Sequence, residues 1–120
     1  MHPVKDLKVY QKAFRLSILV DQVTRTFPKE ELFGLTSQMR RCAVSIPSNI
    51  SEGKGRYSDK DYARFLSIAR GSLFELQTQI DIATELEYLQ INSNDDSLKI
   101  INDLIGEVGR MLTAMIRKLS

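Results

Sequence analysis

Apolar residues along the chain fall into four series, each with the period of an α-helix. The first, Val9, Ala13, Leu16, Val20, Val23 and Phe27, steps by four and three residues in alternation, which lines one helical face. It predicts a helix over about 6–26, ended by Phe27-Pro28 because the residue before a proline is pushed out of the helical region. The second series, Leu32, Leu35, Met39, Cys42 with Ala43, Ile46 and Ile50, predicts a helix over about 30–53. Glu30 and Glu31 suit its N-terminus, and Gly53 and Gly55 are expected to close it. The third runs Tyr62, Leu66, Ala69, Leu73, Leu76, Ile80 and Ala83 over about 58–91, with Ser58 as N-cap, and fades near Leu89 into the polar 92–95 stretch. The fourth, Leu98, Ile101, Ile105, Val108, Leu112, Met115 and Leu119, predicts a helix over about 95–118 capped by Asp95-Asp96. No useful length alternates with period two, and the connections are short. The expectation is an all-α, antiparallel up-down-up-down four-helix bundle, a single domain over 1–120.

One residue breaks the helical pattern. Pro47 lies inside the second series, where it removes a backbone hydrogen bond at a cost of roughly 3 kcal/mol. The apolar phase continues from Ile46 to Ile50, which implies a kink and not a break, and the Ala43 carbonyl then needs a donor from elsewhere.

Composition agrees with long helices: 6 Gly and 3 Pro in 120 residues fall below the ~12% of average chains. No apolar run exceeds three residues, as at Ile18-Leu19-Val20, and Lys5, Asp6, Lys8, Lys12 and Arg15 punctuate the N-terminal region, so neither a membrane span nor an export signal is expected. Cys42, the single cysteine, can form no intrachain disulfide and suits a reducing compartment, with the cytoplasm as the expected location. His2 is the one histidine, so the Glu-x-x-His metal pairs of ferritin-like bundles and the usual hydrolytic base are missing. Gly53-Lys54-Gly55 lacks the rest of a phosphate-binding loop, and Glu30-Glu31 lacks further spaced carboxylates. No enzymatic activity, catalytic residue, cofactor or metal is expected.

Beside the apolar face of the second segment runs a polar stripe: Gln38, Arg41, Ser45, Ser48 or Asn49, Glu52 and Arg56. In an antiparallel pair turning near Arg56, facing residue numbers sum to about 112, which sets Glu75 level with Gln38 and one turn from Arg41, and Gly71 and Ser72 opposite Arg41. Gln38, Arg41, Ser45, Pro47, Asn49, Glu52, Gly53 and Glu75 are expected to form a structural polar motif. An internal network, a subunit interface and a ligand or RNA contact are all compatible with these residue types.

The overall charge is only +2, but the cations gather at one end of the expected bundle. Lys5, Lys8, Lys12, Lys54, Arg56, Lys60, Arg64, Arg117 and Lys118 share that end with Asp6, Glu52, Asp59 and Asp61, a local balance of +5. The far end collects Glu30, Glu31, Glu85, Glu87, Asp95 and Asp96, and residues 71–98 contain no Lys or Arg. A charge run is ordinarily a solvated face, whereas a basic surface repeated around an oligomer multiplies weak phosphate contacts.

Gln38-Met39-Arg40-Arg41, Ser45-Ile46-Pro47-Ser48-Asn49-Ile50-Ser51-Glu52-Gly53 with Arg56, and Gly71-Ser72-Leu73-Phe74-Glu75-Leu76-Gln77 closely resemble the four-helix bundle family encoded in intervening sequences of bacterial 23S ribosomal RNA genes. Lys5-Asp6-Leu7, Tyr10-Gln11-Lys12-Ala13, and Phe27-Pro28 through Glu31-Leu32-Phe33-Gly34-Leu35 fit as well, so the resemblance covers about residues 4–91. Ser51 and Cys42 stand where alanine is usual. The resemblance implies a bundle that assembles as a ring of five subunits without an established enzymatic activity. By fold-level analogy, the accessory variability determinants of diversity-generating retroelements are similar basic pentamers that work with RNA. The expected function is therefore binding of structured RNA by Lys54, Arg56, Tyr57, Lys60, Arg64, Lys8, Lys12, Arg117 and Lys118. The alternative is a scaffold for an acidic partner protein, without nucleic acid. Tyr57 either stacks on an unpaired base or covers the end of the core.

Overall fold

The computed structural model describes residues 3–90 and 95–120. His2 and the 92–94 part of the predicted polar connection lie outside them. Among the described residues the chain forms α1 (Lys8–Val23), α2 (Leu35–Lys54), α3 (Asp59–Glu85) and α4 (Ser97–Leu119), with short 3-10 turns at Val4–Asp6, Thr24–Thr26 and Lys29–Glu31. Each helix packs on its two neighbours in the cyclic order α1, α2, α3, α4, which makes the fold a four-helix bundle. Val9, Ala13, Leu16 and Val20 of α1, Met39, Ala43, Ile46 and Ile50 of α2, Leu66, Leu73, Leu76 and Ile80 of α3, and Ile101, Val108 and Leu112 of α4 fill the core.

The helix ends depart from the periodicity for local reasons. Thr24, which is buried, donates from Oγ1 to the Val20 and Asp21 carbonyls at 2.8 and 3.0 Å, so α1 tightens into a 3-10 turn at Val23. Phe27 is extended before Pro28, as its position requires. α2 begins at Leu35 and not near Glu30, because Gly34 takes φ −110 and ψ −116 and interrupts the helical path. Leu32 and Phe33 are consequently exposed, and Leu32 leaves the core stripe. Glu31 reaches forward instead, its Oε1 accepting the Leu35 N–H at 3.3 Å. The end of α3 is closed by Glu87 in the left-handed region at φ 65, with the Tyr88 and Glu87 N–H groups returning to the Ala83 and Thr84 carbonyls. At the other helix starts, Ser58 Oγ accepts the Asp61 N–H at 3.1 Å, and Asp95 Oδ1 accepts the Ser97 N–H at 2.9 Å.

Pro47 is accommodated within one continuous α2. The orphaned Ala43 carbonyl receives Ser17 Oγ from α1 at 2.9 Å, and the same hydroxyl lies 3.2 Å from the Ala13 carbonyl. A proline in one helix is thus answered by a serine in its neighbour.

Candidate functional site

Along the α2–α3 seam, a shallow groove of about 280 Å³ is lined by Gln38, Arg41, Cys42, Ser45, Ser72 and Glu75. The sequence register brings these together, but few of them bond one another. Arg41 is exposed and donates only to Ser37 Oγ at 3.4 Å, Glu75 is exposed, and the two form no ion pair within 4.0 Å. A β-carbon at Gly71 would meet nothing within 4 Å, so that glycine does not seat the Arg41 guanidinium. The contact across the seam is made by Cys42, whose Sγ lies 3.0 Å from the Ser72 carbonyl. Burial first, and the Glu75 carboxylate second, push the Cys42 thiol up to about 11. Such a thiol stays protonated and unreactive at neutral pH.

The rest of the expected motif serves the helix itself. Ser45 Oγ donates to the Cys42 carbonyl at 2.6 Å and Asn49 Nδ2 to the Ser45 carbonyl at 2.7 Å, both turned back along α2. Glu52 pairs with Arg56 at 3.8 Å. Gly53 has a packing role: a β-carbon there would lie 2.9 Å from Phe65 Cβ and 3.0 Å from Tyr62 Cδ1, where α3 crosses α2. On α2 the arginine that reaches a neighbouring element is Arg40 and not the expected Arg41. Its Nε donates to Thr24 Oγ1 at 2.9 Å and lies 3.5 Å from Asp21 Oδ1. A core-facing Thr24 and an acid at Asp21, both on the α1 side, are the available signals.

At the end formed by the α1 start, the α2–α3 turn and the α4 C-terminus, the nine expected contact residues divide. Lys12 is paired with Glu107, whose carboxyl is held below its ordinary range by that lysine. Arg56 is committed to Glu52, and Arg56 and Arg64 lie over the Phe65 ring at 4.6 and 4.8 Å. Lys8, Lys54, Lys60, Arg64, Arg117 and Lys118 have no carboxylate of the described residues within 4.0 Å. Tyr57 is fully exposed at 107%, so it does not cover the core. At the far end Tyr88 donates to Glu31 Oε2 at 2.9 Å while its ring packs 5.3 Å from Phe27.

The 23S rRNA-intervening sequence protein family matches residues 5–114. The chain belongs to that family. The match takes in most of α4, which the motifs quoted above do not reach. A solved protein of unknown function from the S23 ribosomal protein family of Bacteroides thetaiotaomicron is similar in fold, with a TM-score of 0.78 at 22% identity over 91% of this chain and 95% of that one. No curated protein matches the chain. Among the described residues of this intervening-sequence family member, no helix is long and apolar enough to cross a membrane, and no three potential ligands cluster for a metal.

Proposed function

We propose that this bundle is a non-enzymatic, self-associating cytoplasmic protein that binds structured RNA through the end carrying Lys8, Lys54, Lys60, Arg64, Arg117 and Lys118. The observation that carries the reading is the uncompensated charge of those six side chains beside a fully exposed aromatic, Tyr57. Phosphate recognition needs cations free to exchange counterions, and an exposed ring in their midst can stack on an unpaired base. Arg64 is held against Phe65 and presents its guanidinium from a fixed position, while Lys12 and Arg56 act as paired neighbours more than as contacts. Membership of a family named for intervening sequences of 23S rRNA supports an RNA partner. The resemblance to ring-forming bundles supports repetition of this end around an oligomer.

Electrophoretic shift of a mixed pool of structured RNA tests the reading. Retention at moderate salt that is lost in Lys54→Gln with Lys60→Gln is the expected result. Absence of retention by the wild-type chain overturns it and leaves the basic end to an acidic protein partner.

A further inference from the structure

On the α3–α4 side of the bundle, a groove of about 480 Å³ remains open after the core is filled. Its floor is Leu73, Ile105, Gly106 and Gly109, and Phe74 on its edge is 54% exposed. The charged lining is three arginines, Arg70, Arg110 and Arg117, with no carboxylate and no lysine. None of the three has a carboxylate of the described residues within 4.0 Å. Glu107, which shares α4 with two of them, pairs instead with Lys12 of α1.

Two of these arginines are held by their surroundings. Arg70 Nε donates to Thr113 Oγ1 at 2.9 Å across the α3–α4 seam, and its guanidinium carbon lies 4.7 Å from the centre of the Phe74 ring. Arg110 folds over Gly106, where a β-carbon would come within 3.2 Å of Nη1. Arg117 follows Thr113 by one helical turn and Arg110 precedes it by nearly one, so the three arginines are attached along about 10 Å of the groove. Arg117 also belongs to the basic end. The groove is therefore an apolar trough with cationic edges, continuous with the surface that carries Lys54 and Lys60.

We infer that the α3–α4 trough takes unpaired nucleotides of the RNA held by the basic end, with bases against the apolar floor and Phe74 and phosphates on Arg70, Arg110 and Arg117. This inference rests on the RNA reading proposed above and specifies which part of the RNA lies in the trough. An apolar floor beside a half-exposed ring offers stacking area, and every base has a face to lay on it. Arginine binds phosphate through a planar fork and itself stacks on bases, which lysine does not, and the trough carries arginine alone. A paired stem hides its base faces and gains nothing from such a floor, whereas the lysines of the end serve its backbone. Lys54 and Lys60 do not line the trough, so the two contacts are separately readable.

Two hairpin RNAs with the same stem test this, one ending in a short uridine tail and the other in a tail of equal length and charge that lacks its bases. Fluorescence anisotropy of the wild type is expected to show the uridine tail bound roughly fivefold or more tighter, the lower end of what stacking one base on an aromatic contributes. Phe74→Ala removes the exposed ring, and Ala114→Leu fills the trough from an exposed position on α4 without changing charge. Far-ultraviolet circular dichroism melts check that both fold. Each is expected to bring the uridine tail down to the affinity of the baseless one and to leave the latter unchanged. Arg110→Gln is expected to weaken both tails alike and to flatten the salt slope by roughly 0.7, because it removes a phosphate partner and no stacking surface. Equal affinity of the wild type for the two tails, a preference that survives in Phe74→Ala and Ala114→Leu, or an unaltered slope in Arg110→Gln overturns the inference while leaving the basic end as the stem contact. Failure of the wild type to hold either hairpin overturns both readings. Binding of poly-L-glutamate that the same two variants weaken would make the trough a seat for an acidic protein segment, and that result overturns the inference as well.

Discussion

Ser17 contributes through a hydrogen bond whose need is created by another residue. Pro47 has no N–H to give the Ala43 carbonyl, and Ser17 Oγ takes that place at 2.9 Å. Ser17→Ala is expected to lower stability by about 1–3 kcal/mol in urea unfolding, the range for a buried carbonyl left without its donor. In a Pro47→Ala background the same change should cost clearly less, because an alanine in place of the proline restores the intrahelical donor; equal costs in both backgrounds would show that the serine acts through packing alone. Cys42 supplies a second residue-level test. With its thiol raised from 9.0 to about 11 in the folded chain, the unfolded chain loses the proton first as pH rises. Stability from this group is therefore complete below pH 9 and drains away as pH climbs through about 11. The raised Tyr62 and Tyr88 hydroxyls act in the same direction. The melting temperature should fall between those pH values in the wild type and fall less in Cys42→Ala, measured as the slope with pH and not as the absolute value. The need for a donor at Ala43 was readable from Pro47 alone, but the donor was not, since the register between α1 and α2 is a tertiary fact.

At the scale of the elements, Gly53 illustrates what spacing conveys and what it omits. Spacing assigns it a helix-ending role, yet no described glycine has positive φ and α2 runs through it to Lys54. Its lack of a side chain lets α3 approach, with Phe65 Cβ 2.9 Å from where a β-carbon would stand and the Tyr62 backbone carbonyl 3.3 Å away. Gly53→Ala gains up to ~1 kcal/mol of helix propensity and loses roughly 1–3 kcal/mol to overpacking. A lowered melting temperature is expected, and a raised one would mean the crossing relaxes freely. The four apolar stripes were legible because a helix must bury one face, and that demand leaves a period. Helix ends were less so: Thr24 and Gly34 act through backbone geometry that periodicity does not record. The polar stripe on α2 carried the right register, since Gln38 and Glu75 do share a groove, but register alone implies no bond. Arg40, one position from the expected Arg41, makes the interhelical link because α1 offers it Thr24 and Asp21.

For the whole molecule, the proposed RNA contact rests on the distribution of charge, and salt is the variable that tests it. Each lysine released from counterions on binding contributes roughly 0.7–0.9 to the slope of log affinity against log salt, according to whether the RNA is single-stranded or duplex. Lys54 and Lys60 are the substitutions to make: both are free of carboxylates, whereas removing Arg56 would also disturb Glu52 and Phe65. Lys54→Gln with Lys60→Gln should flatten the slope by roughly 1.4–1.8 for each protomer touching the RNA, and weaken binding across many sequences with little change of preference. Under the self-association proposed above the end is repeated, so the loss is expected to scale with the number of protomers in contact and to exceed the single-protomer figure when several bind one RNA. The control is Lys29→Gln with Lys99→Gln, an equal change of net charge at the acidic end, where the slope should stay near that of the wild type. If the two pairs flatten the slope equally, attraction is a property of net charge and the basic end is only a solvated surface.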